Sequence, residues 1–577
     1  MTALLDVRDV NVTIGATKVL TDVSLSLYRG EAVGILGETG SGKTMTMRSI
    51  AGLLGTVGGR IDSGSIHING RDITHESLRS RRRTLRGVVS MVPQGSMSSL
   101  DPLQRIGSQV SEALQLTRAG KASDADVRHA LHAVRLTPTA SLLRSRPHEL
   151  SGGMRQRVMI ALALASQPRL LLADEPTTAL DASVRTSILD LFTELRVERQ
   201  LGLVIISHDI NAIASATDRV IVMNRGRVVE TGRTSEVLAN PQDPYTQELI
   251  SALPERTPRG YYLPARRSTD DPNATANGGH VPVPARSMPT AGVSTIEAQA
   301  LDFSYGDRQI LHDISVRVRA GQRLGIVGES GSGKSTLARL LTGVLPSRQV
   351  TVNGTPWRRF GSSQPERHEV QLILQDPFAS LTETQTALAT VQEACRTVQK
   401  LARSAARQRA LELLGSVGLS GDLVHRRPAQ LSGGQCQRVS IARALAANPS
   451  ILIADEPTSA LDLSVQAGIV NLLLTLTTQR PLGLVVVSHD LAVISHLSDT
   501  IVVMERGCIV ESGPTDQVLF QPKHPYTRQL VSANPWLAAN AESNLYGKIR
   551  PGADASKLIE ALGEQPVMVR AGSASDA

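Results

Sequence analysis

Aromatic residues are nearly missing from this chain: two Trp, seven Tyr and five Phe among 577 residues, or 2%. Any sizeable core must therefore be built from Val, Ile, Leu and Ala, and a 41% hydrophobic content is ample for one. That bias suits parallel strands covered by helices on both faces. Cysteine is scarce as well. Cys395, Cys436 and Cys508 lie far apart and in no metal-ligand spacing, which argues against a disulfide framework or a cysteine-ligated cluster and fits a reducing compartment. No stretch approaches the roughly 18 apolar residues that a membrane span needs. The opening MTALLDVRDVNVTIG has no charged-then-apolar signal pattern. The chain is read as cytosolic, with any membrane association made through a partner. Its net charge of +8 favours anionic partners (nucleotide phosphates, nucleic acid or an acidic membrane surface) without choosing among them.

What is present is a repeat. GETGSGKT at 37–44 returns as GESGSGKS at 328–335. LSGGMRQRV from Leu150 returns as LSGGQCQRV from Leu431, and LLADEPTTALD ending at Asp181 returns as LIADEPTSALD ending at Asp462. ISHD ending at Asp209 returns as VSHD ending at Asp490, and DPYT at 243–246 returns as HPYT at 524–527. Ser151 and Ser432 are 281 residues apart, as are His208 and His489; Lys43 and Lys334 are 291 apart. Two copies of one domain explain five ordered pairs, and convergence does not. Residues 1–253 and 294–533 are expected to be the two domains. Between them, Pro254 to Pro289 contains seven prolines with no apolar periodicity. Residues 254–293 therefore read as a flexible, Pro-rich linker, reaching roughly 30–36 Å as a coil. Residues 534–577, rich in Ala, Gly and Ser, read as a weakly structured extension with one short helix near Ala555–Leu562.

The chemistry sits where apolar runs stop. AVGILG and RLGIVG end in the first glycine of each Gly-rich loop. Gly37, Gly40, Ser41 and Gly42, and likewise Gly328, Gly331, Ser332 and Gly333, let backbone N–H groups converge on phosphate oxygens. The following helix adds its positive N-terminal end. Lys43 and Lys334 are expected to reach the β- and γ-phosphates, and Thr44 and Ser335 to offer hydroxyls to Mg²⁺. RLLLADEP and SILIADEP end in paired carboxylates. Asp174 and Asp455 are expected to hold Mg²⁺, and Glu175 and Glu456 to polarise the attacking water. His208 and His489 close another apolar strand each and are expected to contact the γ-phosphate. Ser151, Gly152 and Gly153, and Ser432, Gly433 and Gly434, precede helical runs and make a second anion-binding helix terminus in each copy. One cassette cannot wrap both cradles around one nucleotide.

On these motifs the chain resembles the ATP-binding-cassette superfamily over about residues 4–250 and 296–530. The resemblance implies an α/β fold of two tandem P-loop NTPase domains, each with a RecA-like core, a helical subdomain and an antiparallel β part. It implies a head-to-tail intramolecular pseudo-dimer. One ATP would lie between the first loop and Ser432–Gly434, the other between the second loop and Ser151–Gly153. Gln94 and Gln375 match the glutamines that join the γ-phosphate and its Mg²⁺ to the partner domain, and Asp181 and Asp462 match aspartates that cross the interface. Tyr305 matches the aromatic that stacks on adenine, with ordinary packing as the other reading; Ile14 stands there in the first half. Met154 replaces the usual glutamine that Gln435 supplies.

The DPYT/HPYT segments look like those of oligopeptide and dipeptide importers, whose two ATPase subunits would here be fused. As chemistry, DPYT and HPYT read as a turn and helix cap only. The resemblance implies two transmembrane permease subunits, an extracytoplasmic substrate-binding protein and a peripheral position on the cytoplasmic face of the inner membrane. Relatives often carry a cysteine-ligated iron–sulfur cluster after HPYT; no cysteine lies in 246–295 or after 508 here, so none is expected. Nickel, glutathione and sugar remain alternative cargoes. A soluble factor acting on ribosomes or DNA is the competing class, but the Pro-rich joint cannot form the helical hairpin of such factors, and no nucleic-acid partner is expected. The basic run Arg79, Arg81, Arg82, Arg83 and Arg86 reads as a solvated face, with membrane or permease contact as its alternative.

Overall fold

Short runs of Val, Ile, Leu and Ala become the central strands of two equivalent sheets. The computed structural model describes residues 3–95, 99–117, 122–177, 180, 182–265, 281–286, 293–357, 366–459 and 461–534. The first half holds β1 (Leu5–Ile14), β2 (Thr17–Leu27), β3 (Ala32–Leu36), β4 (Gly59–Ile68), β5 (Arg71–Asp72), β6 (Val89–Val92), β7 (Leu170–Asp174), β8 (Gly202–Ile206), β9 (Arg219–Asn224) and β10 (Arg227–Arg233). Strands β6, β7, β8, β3 and β9 run parallel in that spatial order, and β10 closes the edge antiparallel to β9. Strands β2, β1, β4 and β5 form a separate antiparallel sheet. The second half holds β11 (Thr295–Tyr305), β12 (Arg308–Arg319), β13 (Arg323–Val327), β14 (Val350–Val352), β15 (Thr355–Pro356), β16 (Val370–Ile373), β17 (Ile451–Asp455), β18 (Gly483–Val487), β19 (Thr500–Glu505) and β20 (Cys508–Pro514). Its two sheets repeat both strand orders.

Every residue of β3, β7 and β8 is buried, because both faces of the sheet are covered. Ala32, Leu36, Leu171 and Ala173 face a core shared with the helices Ile106–Thr117, Asp124–His132 and Gly152–Leu164. Val33, Ile35, Leu170 and Leu172 face a second core, shared with the antiparallel sheet and the helix Lys43–Ile50. The parallel arrangement aligns all polar strand ends along one edge of each half, where open α/β sheets bind ligands. Among the described residues no helix is long and apolar enough to cross a membrane.

The joint between the halves differs from the flexible linker expected. In its described parts, 254–265 and 281–286, it is docked on the second half. Tyr262 and Leu263 belong to that half's core. Asn471, buried in the helix Leu463–Gln479, accepts from the Leu263 N–H and donates its amide N–H to the Leu263 carbonyl, both at 2.8 Å. Tyr261 and Pro282 pair as a β-bridge, and Arg286 reaches Asp499 at 2.6 Å. A proline-rich segment cannot build its own core, but it can donate side chains to one that already exists. The repeat carries a trace of this. Asn471 and Thr475, which contact the strap, stand where the first half has Asp190 and Glu194, both exposed. The C-terminal extension beyond residue 534, with its expected helix, lies outside the described residues.

At the start of the joint Glu255 is buried, and its Oε1 accepts from Asn211 at 3.1 Å. His496 donates from Nε2 to the Pro254 carbonyl at 2.9 Å, since a carbonyl can only accept. Burial lowers the His496 pKa to about 4, so the ring is neutral. Burial, and then the nearby charge of Asp490, pushes the Glu255 carboxyl up to about 7. A carboxyl with a higher pKa folded than unfolded holds its proton more tightly in the native state. Its stability contribution is full at acid pH and is lost as pH rises from the ordinary glutamate value through about 7. Glu255→Gln is therefore expected to melt close to wild type at pH 5 and above it at pH 8, by up to roughly 3 kcal/mol. Thermal unfolding at both pH values measures this. Asn471→Asp, which cannot donate to Leu263, is expected to cost about 1–3 kcal/mol; limited proteolysis should then cut the joint sooner.

Candidate active sites

Each phosphate loop leaves the C-terminal end of a buried strand, β3 or β13. Gly37 and Gly328 turn there with φ of +146° and +152°. A Cβ at either would lie 2.2 Å from the carbonyl oxygen of Met223 or Met504, so only glycine fits. Gly40 and Gly331 also have positive φ, and Gly42 and Gly333 cap the helices Lys43–Ile50 and Lys334–Leu341 in the left-handed region. The lysines fold back onto their loops. Lys43 Nζ donates to the carbonyls of Gly37 at 2.7 Å and Glu38 at 2.8 Å; Lys334 Nζ donates to those of Gly328 at 2.8 Å and Glu329 at 2.7 Å. Ser41 and Ser332 lie buried beside them. Burial lowers the Lys43 pKa, against the pull of Asp462, Glu175 and Asp174. An ammonium in such surroundings gains by exchanging neutral carbonyls for an anion.

Asp174 and Asp455 end β7 and β17. Thr44 donates to Asp174 Oδ1 at 3.4 Å, and Ser335 donates to Asp455 Oδ1 at 3.1 Å. Burial, then adjacent Glu175, pushes the Asp174 carboxyl up to about 6, and burial likewise raises that of Asp455. A hydroxyl oxygen beside a carboxylate that is costly to ionise suits a hard divalent cation such as Mg²⁺, which takes oxygen ligands and favours the charged form.

Glu175 and Glu456 follow, each with φ +48°, a left-handed conformation that costs a side-chain-bearing residue on the order of 1 kcal/mol or more. Their N–H groups donate to the next strand end, at Ile206 (3.0 Å) and Val487 (2.8 Å), which holds the turn. Gln94 and Gln375 then donate to Glu175 and Glu456, both at 2.8 Å. His489 Nδ1 lies 3.2 Å from Glu456, a hydrogen bond; His208 Nδ1 lies 3.6 Å from Glu175, an attraction without one. Burial pulls the His208 imidazole down, but Glu175 more than offsets it, and the net shift is upward. Burial pushes Glu456 up, but His489 and Lys334 outweigh it and hold it below the usual glutamate value. Each half thus gathers a glutamine, a glutamate and a histidine at one strand edge, next to the phosphate loop.

Ser151 and Ser432 cap the helices Gly152–Leu164 and Gly433–Leu445, accepting from the N–H of Met154 and Gln435 at 3.3 Å. A Cβ on Gly153 or Gly434 would lie 2.5 or 2.1 Å from Val184 or Val465, so these glycines permit close packing on the next helix. Gln435 Oε1 accepts from the Ser432 N–H at 3.0 Å and completes a capping box. Met154 has no acceptor to do this. The halves also meet directly. The N–H and hydroxyl of Thr39, in the first phosphate loop, both donate to Asp462 of the second half at 2.8 Å. The Ser464 hydroxyl donates to Glu38. Asp181, the counterpart of Asp462, lies outside the described residues. Tyr305 is exposed at the end of β11, edge-on to Phe303 at 5.0 Å.

Two readings need correction. Arg81 does not lie on a solvated face. It is buried and donates to the carbonyls of Ile73 and Thr74, stapling the helix Leu78–Leu85 onto the adjoining turn. DPYT and HPYT do more than cap a helix: Tyr245 and Tyr526 reach the phosphate loops, accepting from the N–H of Glu38 and Glu329 at 2.9 Å. Nothing local in the motifs marks these contacts, or the left-handed glutamates.

A hydrolytic cassette folded twice in one chain, with one copy gripping the other's phosphate loop, defines a tandem nucleotide-binding ATPase. Residues 20–178 and 311–459 match the ABC transporter family, and residues 229–279 and 510–559 match the oligopeptide/dipeptide transporter C-terminal region. The chain belongs to the ABC transporter family, whose ATP-binding proteins hydrolyse ATP for transport. It is 39% identical over 540 residues to the glutathione import ATP-binding protein GsiA of Pectobacterium atrosepticum, covering 90% of this chain and 87% of that one. It is 38% identical over 539 residues to the protein of that name from Salmonella typhimurium, covering 89% and 86%. Met154→Gln is expected to complete the missing capping box and stabilise the first signature helix by about 0.5–1 kcal/mol, read as slower amide exchange at its first turn.

Proposed function

We propose that this chain is the ATP-hydrolysing subunit of an importer for small peptides, and that glutathione, the cargo named for its relatives, is the first ligand to test. The observation that carries the mechanism is the grip of Asp462 and Ser464 on Glu38 and Thr39, which ties one half to the loop that binds phosphate in the other. ATP held by Lys43 and the loop around it would meet Ser432–Gly434 across the seam, and ATP at Lys334 would meet Ser151–Gly153. Binding energy is then spent on closing the halves. Thr44, Asp174 and Gln94, with Ser335, Asp455 and Gln375, would hold Mg²⁺, which neutralises charge on the phosphate oxygens when bound. Glu175 and Glu456 accept hydrogen bonds from Gln94 and Gln375 and, once these turn toward the γ-phosphate, are free to polarise the attacking water. His208 and His489, against the same glutamates, supply a γ-phosphate contact. Tyr305 is exposed and available to adenine in the second site.

Two membrane permeases would take up the motion through the segments after Gln94 and Gln375, and an external binding protein would deliver the cargo. The chain would then sit peripherally on the cytoplasmic face of the inner membrane, as one continuous pair of cassettes. Reconstitution with its permeases and binding protein in vesicles tests this. ATPase is expected to rise with glutathione or with di- and oligopeptides, and not with sugars or nickel. The Glu175→Gln, Glu456→Gln double variant is expected to bind ATP and to lose at least about a hundredfold in turnover; unchanged hydrolysis would refute the assignment.

A further inference from the structure

The DPYT and HPYT segments are built to the same plan in both halves. Before each, a glutamate at the end strand gathers the loop. Glu230 accepts from the N–H of Gln242 (2.9 Å) and Asp243 (3.2 Å), and Glu511 from those of Lys523 (2.9 Å) and His524 (3.0 Å). Asp243 and His524 then cap the helices Pro244–Ser251 and Pro525–Ser532. Asp243 accepts from the Tyr245 N–H at 2.9 Å, and His524 Nδ1 accepts from the Tyr526 N–H at 3.2 Å. Proline at the first helical position presets the entry angle. Every part of the segment orients the tyrosine that follows. Both tyrosines are buried, and each hydroxyl accepts from the N–H of the second loop residue, Glu38 or Glu329, at 2.9 Å.

That N–H belongs to one peptide unit, Gly37–Glu38 or Gly328–Glu329. The carbonyl of the same unit accepts from the loop lysine, at 2.7 Å from Lys43 or 2.8 Å from Lys334. Each unit is therefore held from both sides, by a tyrosine on its N–H and by a lysine on its C=O. When the lysine moves to a phosphate, the second hold is gone. Gly37 and Gly328, at φ of +146° and +152°, offer little intrinsic resistance to rotation of that unit. In the first half the residue so held is also the one that Ser464 reaches from the second half.

We infer that Tyr245 and Tyr526 are positioning residues of ATP hydrolysis: each clamps the first peptide of its phosphate loop so that the lysine can transfer to nucleotide without the loop turning over. The segment that reads as a family marker is thus part of the nucleotide machinery, acting through the loop and touching no phosphate itself.

Tyr245→Phe, Tyr526→Phe and the double variant, made in the full chain, keep the ring and remove the hydroxyl. Each single change is expected to weaken MgATP binding at its own site about three- to tenfold. KM should rise with kcat nearly unchanged, and amide exchange should quicken in the loop peptide beginning at Gly37 or Gly328. Melting temperature should stay near wild type; Tyr245→Ala, which also removes the ring, should lower it. Wild-type nucleotide affinity and loop exchange in both phenylalanine variants, whatever their melting temperature, would overturn the inference and leave the tyrosines as packing residues.

Discussion

Burial on both faces of a parallel sheet is the constraint on which everything else here rests. Once β3, β7 and β8 are covered above and below, their side chains have no room for chemistry, and only their ends remain available. Because the strands run parallel, these ends share one edge. The first phosphate loop, the acidic pair Asp174–Glu175 and His208 are therefore neighbours although they are spread over about 170 residues of sequence. The same constraint in the second half gathers Lys334, Asp455, Glu456 and His489. Polar groups at the end of an apolar strand also carry a cost, visible in the raised carboxyl of Asp174 and the lowered ammonium of Lys43. That cost falls when opposite charges arrive, an anion beside Lys43 or a cation beside Asp174.

The two halves are copies but not equals. Gln435 completes a capping box that Met154 cannot, His489 hydrogen-bonds its glutamate where His208 stands off, and Tyr305 has Ile14 as its counterpart. The largest asymmetry is the joint. It covers a face of the helix Leu463–Gln479, where Asn471 and Thr475 have replaced the exposed acidic residues of the first copy. Among the described residues the strap covers this face in the second copy.

Much of this was legible in the chain because its chemistry is local. A Gly-rich loop, a carboxylate pair after a run of Leu and Ile, and a serine before two glycines each carry their meaning within about ten residues, and their order yields the fold. What could not be read depends on distance. Tyr245 and Glu38 are 207 residues apart, and no spacing rule joins them. The left-handed turn at Glu175 and Glu456 comes from a backbone bond to a neighbouring strand, which a single strand's sequence does not contain. The joint misled for another reason. Proline content reports that a segment cannot fold alone, and it is silent on whether a neighbour will accept its side chains. The exchange of Asp190 and Glu194 for Asn471 and Thr475 was one trace, visible when the repeats are laid over one another.

The strap has a further consequence for how the molecule opens. With Leu263 bonded to Asn471 and Arg286 to Asp499, the tail of the first cassette stays fastened to the second. The halves cannot drift apart as separate subunits do, and their reunion carries no penalty of dilution. Any parting of the halves has to leave that fastening in place, as covers turn on a spine.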